Sequence, residues 1–195
     1  MTHSTLRRAG IVSGLALTAA LMLAAQVSAQ ASTPPAKDQP GIGLRGIGVR
    51  LGLDDPEGAS SAFMYGLHVD AGEFVRNVHL IPSVEYWSVG NDIGAYNSDF
   101  SDLAFRLGVN FDFPLQDQRF TPYLGGGFGL HHLKFDTNVP NVEDQSDTKF
   151  GLDVQGGARN QFTPNLSLFG EVGYSFVSDN NQLRLLGGLT YQFIY

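Results

Sequence analysis

Between residues 102 and 113, apolar and polar positions alternate with a period of two. Leu103, Phe105, Leu107, Val109, Phe111 and Phe113 take the odd positions, and Asp102, Ala104, Arg106, Gly108, Asn110 and Asp112 the even ones. Successive side chains of a strand point to opposite sides, so this spacing predicts a strand with one apolar face and one polar or small face. The same alternation recurs and predicts about eight strands, over 42–54, 62–75, 78–90, 100–114, 120–136, 149–162, 166–177 and 182–195. Nothing after residue 40 repeats with the 3.6 period of an amphipathic helix.

The connections alternate too. Generous polar segments at 53–61, 90–99, 136–148 and 178–181 are interleaved with tight links at 76–77, 115–119 and 163–165. Long and short links in strict turn predict an all-β, closed antiparallel up-and-down barrel with both termini at the tight-link end. Strands of this length also suffice to cross a bilayer, which takes roughly 9–11 residues. The first residues follow a different pattern. Arg7 and Arg8 precede an apolar run from Ile11 to Ala25, and Val27-Ser28-Ala29 then supplies small residues. Residues 1–29 therefore read as a cleaved secretory signal peptide. QASTPPAKDQP (30–40) reads as a flexible spacer, leaving 41–195 for the barrel.

Alternation does not say which face is inside. A soluble, lipocalin-like binding barrel turns its apolar face inward; a membrane barrel turns it outward. Composition bears on that choice. Charged residues make up 16% of the chain, against about a quarter in ordinary soluble domains. Past the start region the only lysines are Lys37, Lys134 and Lys149. The polar face carries glycines at 46, 48, 52, 66, 108, 125, 127, 129, 151, 157 and 173 rather than the Lys and Glu of a water-facing surface. Small residues suit the crowded lumen of a narrow barrel. The opposite face carries bulk, including Phe63, Tyr65, Tyr86, Phe105, Phe128, Leu168 and Phe176. Lipid outside is the expectation. A net charge of −7 excludes nucleic acid as a partner, and the absence of Cys excludes disulfide and thiolate chemistry.

With its export signal, its alternating strands, the stretch FTPYLGGGFGL (120–130) and the aromatic ending GLTYQFIY (188–195), the chain resembles the small outer-membrane β-barrel family, that of the transmembrane domain of outer membrane protein A and its short relatives. The resemblance covers 41–195. It implies location in the outer membrane of a diderm bacterium, with both termini periplasmic. It also implies that Leu189, Tyr191, Phe193 and Tyr195 form the signal read by the barrel assembly machinery, with periplasmic chaperones assisting. The family's usual last residue is Phe, so Tyr195 departs from the pattern. No further domain is expected after it.

Projecting the alternation inward places Arg50, His68, Asp70, Glu85, Arg106, Asp153, Arg159, Glu171 and Arg184 in the lumen. Charges withdrawn from water need partners. Glu85 with Arg106, and Arg159 with Glu171, are the expected pairs, and they either obstruct the lumen or sit loosely in a hydrated one. The long connections are acidic, with Asp54, Asp55, Glu57, Asp92, Asp99, Asp102, Glu143, Asp144 and Asp147. These read as solvated loop tips or as a surface for divalent cations, lipopolysaccharide or basic ligands.

Enzymatic signals are weak. No G-x-S-x-G elbow occurs, and His132 with Ser175 forms no recognisable motif. His131 and His132 are adjacent on a strand and point to opposite faces, which argues against chelation and gives one lumen and one interfacial histidine. GGGFG (125–129) lacks the strand-to-helix context of a phosphate loop. The expected function is non-enzymatic: a structural or surface-interaction role, or a very narrow porin-like pore. No cofactor or metal is expected, the outer-membrane lipid and lipopolysaccharide are the expected surroundings, and the chain is expected to be a monomer. The alternatives are the soluble binding barrel and an outer-membrane lipid-modifying enzyme.

Overall fold

Every backbone N–H and C=O within hydrocarbon must find an internal partner, and a sheet meets that demand only by closing on itself. The computed structural model describes residues 40–58, 60–93, 96–115, 119–138, 140, 142–178 and 180–193, with only the backbone described at 91–93 and 96. The signal peptide, nearly all of the spacer, and Tyr195 lie outside the described residues. Eight strands follow one another: β1 (Gly41–Pro56), β2 (Ala62–Val75), β3 (Val78–Ile93), β4 (Tyr96–Asp112), β5 (Phe120–Thr137), β6 (Gln145–Thr163), β7 (Leu166–Val177) and β8 (Gln182–Gln192). Each pairs antiparallel with the next. β8 pairs with β1 from Gly46↔Gln192 to Pro56↔Gln182, closing the barrel.

The expected strands are present, but two long connections are shorter than expected. The segment 90–99 is not a loop: the β3–β4 ladder continues through Gly90↔Asp99 and Asp92↔Asn97 to Ile93↔Tyr96. Likewise β6 starts at Gln145, paired with Phe135, four residues before the expected Lys149. These strand tips carry no sustained apolar alternation in sequence. Backbone pairing extends them without leaving an apolar alternation to read.

Proline in β3 coincides with an irregularity of the ladder. Pro82 lies inside β3 and has no N–H to donate. Between His68↔Ser83 and Glu73↔His79, β2 advances five residues while β3 advances four, so a bulge faces the proline. Gly72 sits in that bulge at φ 86°, where an added Cβ would stand 2.3 Å from the Gly41 carbonyl oxygen. The Arg76-Asn77 link turns with Asn77 at φ 65°, a left-handed conformation that asparagine tolerates.

The faces separate by chemistry. Leu124, Phe162 and Leu185 are about 60% exposed on the outside, alongside Phe63, Tyr65, Phe105, Phe128, Leu152 and Phe176. Arg50, Asp54, Glu85, Asp102, Arg106, Asp153, Glu171 and Arg184 are buried inside. That rules out the lipocalin-like alternative, because a water-soluble barrel cannot expose this belt and bury these charges. The lumen is also crowded. At Gly48, a Cβ would come within 2.3 Å of both the Leu189 carbonyl oxygen and the His68 ring.

Candidate functional site: a charge network across the lumen

Strand pleating alone delivers the central residues inward, because each lies on the buried parity of its strand. Glu85 of β3 is the hub. It is 1% exposed and meets three guanidiniums: Arg50, Arg106 (Nε–Oε2, 2.9 Å) and Arg184 (Nη1–Oε2, 3.0 Å). Arg50 Nη2 also donates to Glu171 Oε1 at 2.8 Å, and Arg184 Nη2 to Asp153 Oδ1 at 3.2 Å. Arg106 pairs with Asp153 as well. Three arginines thus interleave with three carboxylates, Glu85, Asp153 and Glu171, and the formal charges cancel. Hydroxyls add further bonds, while the Nε of each of the three arginines makes no hydrogen bond among the described residues. Tyr123 donates to Glu171 (2.9 Å), Arg106 to Ser175 Oγ (2.7 Å), Ser175 to Asp153 (2.5 Å) and Arg50 to Ser83 Oγ (3.2 Å). Among the described residues, every strand except β2 supplies a member of this network.

Glu85 and Arg106 are therefore brought together. Arg159 and Glu171 are not. Glu171 lies opposite Gly157, one inward step from Arg159, and its carboxylate is taken by Arg50 and Tyr123. Arg159 instead donates to Asp112 Oδ2 at 3.2 Å. Asp112 belongs to a second cluster at the tight-turn end, where His79 lies 3.2 Å from Asp70, 3.2 Å from Glu73 and 3.5 Å from Asp112. Between the two clusters, His68 bonds Thr190 (2.9 Å) and packs edge-on against Phe169 at 5.2 Å between ring centroids.

Towards the long-loop end the lumen turns apolar. Met64, Trp87 and Ala62 are buried there with Val89 and Phe100 against them, and the cluster continues through Leu186 down to Phe169 beside the network. Beside them His131 Nδ1 bonds Asp102 Oδ2 at 2.6 Å, and Gln182 donates to the same oxygen at 3.0 Å. Two acids read as outer-loop residues, Asp54 and Asp102, are thus corrected: both are strand residues facing inward and wholly buried. Asp54 has no hydrogen-bond partner on either oxygen. The other acids are peripheral. Asp55, Glu57, Glu143, Asp144 and Asp147 are exposed, and Asp99 is exposed on β4; the Asp92 side chain lies outside the described residues. Several of them tie loops down: Asp55 accepts from Ser61, Glu57 from Asn181 and Asp144 from the Thr137 amide.

His131 faces the lumen, whereas His132 faces outward between Thr148 and Ser146. No group of three or more His, Asp or Glu among the described residues is arranged to hold a metal ion. Leu189 and Tyr191 face outward on β8, and Phe193 packs against Tyr191 at 5.7 Å. Sequence reasoning missed Tyr123, Ser83, His79 and Trp87, and weighed Ser175 only beside His132, never as a partner of Arg106 and Asp153. Their inward parity was readable, but the cross-strand register that gives each a partner was not.

A closed eight-stranded antiparallel sheet with an apolar exterior and a charged interior defines a transmembrane β-barrel. The chain belongs to the outer membrane protein β-barrel domain family, whose model matches residues 16–193, and it is an outer-membrane protein. Solved structures agree on the fold. Neisserial surface protein A is 19% identical with a TM-score of 0.63, over 78% of this chain and 99% of that one. Ail, the attachment invasion locus protein of Yersinia pestis, is 19% identical with a TM-score of 0.54, over 77% and 97%. The N-terminal barrel of Pseudomonas aeruginosa OprF is 12% identical with a TM-score of 0.52, over 80% and 100%. No curated protein sequence matches the chain significantly.

Proposed function

We infer that the protein is a non-enzymatic, non-conducting scaffold of the outer membrane that presents its acidic long-loop end to the cell exterior. The observation that carries this is the neutral network from Glu171 through Arg50, Glu85, Arg106 and Arg184 to Asp153, which fills the lumen section with paired side chains. Buried pairs of this kind hold only when nearly every donor and acceptor is engaged, and breaking one leaves an uncompensated charge. A water path there would require parting several pairs at once.

Orientation follows from loop length: tight turns and both chain ends face the periplasm, long loops face outside. Residues 1–29 then act as the export signal, and Leu189, Tyr191, Phe193 and Tyr195 as the strand read by the assembly machinery. Exposed Asp55, Glu57, Glu143, Asp144 and Asp147 make the outer end acidic. A complex of Ail from Yersinia pestis holds sucrose octasulfate, a heparin analogue. The acidic end of the present chain suits the opposite charge: basic proteins, or divalent cations that bridge it to lipopolysaccharide phosphates.

A Glu-specific protease applied to intact cells tests this orientation. Cleavage after Glu143 without lysis is expected. Cleavage only after lysis would reverse the orientation and remove the surface role.

A further inference from the structure

At the tight-turn mouth, four consecutive strands bring polar side chains around one small cavity. Its volume is about 60 Å³, and it is lined by Arg119, Thr121, Arg159, Gln161, Ser167 and Gln192. A single water needs about 15 Å³ measured in this way, so the space takes roughly four waters or one small oxyanion. The register makes the convergence: Thr121 lies opposite Arg159, Gln161 opposite Ser167 and Ser167 opposite Thr190, while the Gln161 amide donates to the Arg119 carbonyl at 2.7 Å.

Two features set this cavity apart from the network above it. Among the described residues its lining contains two arginines and no carboxylate. It also contains an orphan: Ser167 is wholly buried, yet its hydroxyl has no hydrogen-bond partner. Buried hydroxyls are normally satisfied, so an unsatisfied one aimed into a cavity points to an occupant that accepts or donates there. Arg159 is held in place by Asp112 at 3.2 Å and by the Tyr123 ring at 5.8 Å from its centroid, which leaves the remaining donors of its fork directed elsewhere. Planar guanidinium forks match the oxygens of phosphate in pairs, and the amides of Gln161 and Gln192 with the hydroxyls of Thr121 and Ser167 add neutral donors.

We propose that this cavity is a binding site for a small oxyanion of the phosphate class, held by Arg119 and Arg159 with Ser167 beneath it. The site stands on the lumen mouth whichever way the barrel is inserted. In the orientation inferred above it opens to the periplasm. The shared chemistry has two sources, free phosphate in the aqueous compartment and the phosphate of a lipid headgroup.

The test is an amide chemical-shift titration of the refolded mature chain with inorganic phosphate, in maltoside micelles that carry no phosphate of their own. Saturable shifts confined to residues around 119–121, 159–161, 167 and 190–192 are expected. Arg119→Gln lies on an exposed residue and leaves the fold intact; it should weaken the apparent affinity about tenfold, the scale of one charge-assisted hydrogen bond. Ser167→Ala should weaken it by less. In nanodiscs of phosphatidylglycerol, the same resonances starting at their phosphate-bound positions assign the ligand to the lipid headgroup. Starting at their free positions and titrating with phosphate assigns it to the soluble ion. Shifts that never saturate, or that are unchanged in Arg119→Gln, would overturn the site.

Discussion

Glu85 touches Arg50, Arg106 and Arg184 at once, so its charge does more than that of any single arginine. Removing it leaves three guanidiniums facing two carboxylates in a section buried from solvent. Glu85→Gln keeps the volume and should cost about 3–5 kcal/mol of unfolding free energy, the scale of breaking a buried pair. Reversible urea unfolding in lipid vesicles measures it; a loss under about 0.5 kcal/mol would mean that water already solvates these charges. Asp54 behaves in the opposite sense. Its carboxylate is wholly buried and neither oxygen has a partner, so the native site tolerates the group at a desolvation cost. Asp54→Asn should leave stability unchanged or raise it by about 1–2 kcal/mol in the same assay. At Gly48 the limit is steric. An added Cβ meets the Leu189 carbonyl oxygen at 2.3 Å, so Gly48→Ala forces β1 and β8 apart at the closing seam and should cost about 1–3 kcal/mol.

At the scale of the strand, period-two alternation carried most of the fold. It is visible in β4 because every second residue from Leu103 to Phe111 meets lipid, and lipid accepts only apolar side chains. The signal disappears where lipid ends. The tips of β3, β4 and β6 carry no sustained apolar alternation, so the ladder from Gly90↔Asp99 to Ile93↔Tyr96 could not be read from hydrophobicity. The same blindness misplaced Asp54 and Asp102, which look like loop acids beside polar neighbours and are lumen residues by parity. Which lumen charges meet was only partly legible. Parity gives the face, but register and barrel stagger decide the height, and one inward step separated Arg159 from Glu171. Substitution tests the faces directly. Val154 is half exposed near the middle of β6, and Val154→Arg should destabilise the inserted barrel by about 2–4 kcal/mol. The chain contains no Cys, so single cysteines placed along 103–111 can be labelled cleanly. A fluorophore at 105 or 111 should be quenched by a lipid-dissolved quencher, while one at 104 or 110 should not.

For the whole molecule, closure and occlusion are separate properties. Closure follows from β1–β8 pairing, which leaves no strand edge in the bilayer. Occlusion depends on side chains alone. The central network, the Trp87–Met64 cluster above it and the His79–Asp112 cluster below it stack along one lumen, and the proposed scaffold role reads them as three successive obstructions. Eight strands enclose little more space than their own inward side chains fill, and the proposed function takes this small barrel as a packed interior rather than a channel. On that proposal its capacity to act lies in its two ends: the acidic loops on one side and the arginine-lined mouth on the other.

Single-channel recording of the refolded mature chain in a planar bilayer, with insertion confirmed independently by protease protection, tests the occluded lumen most directly. An inserted protein that passes no discrete current, together with a Glu85→Ala variant that produces steps, is the predicted result. Reproducible steps from the unaltered chain, unchanged in Glu85→Ala, would show that ions pass a lumen the network does not close.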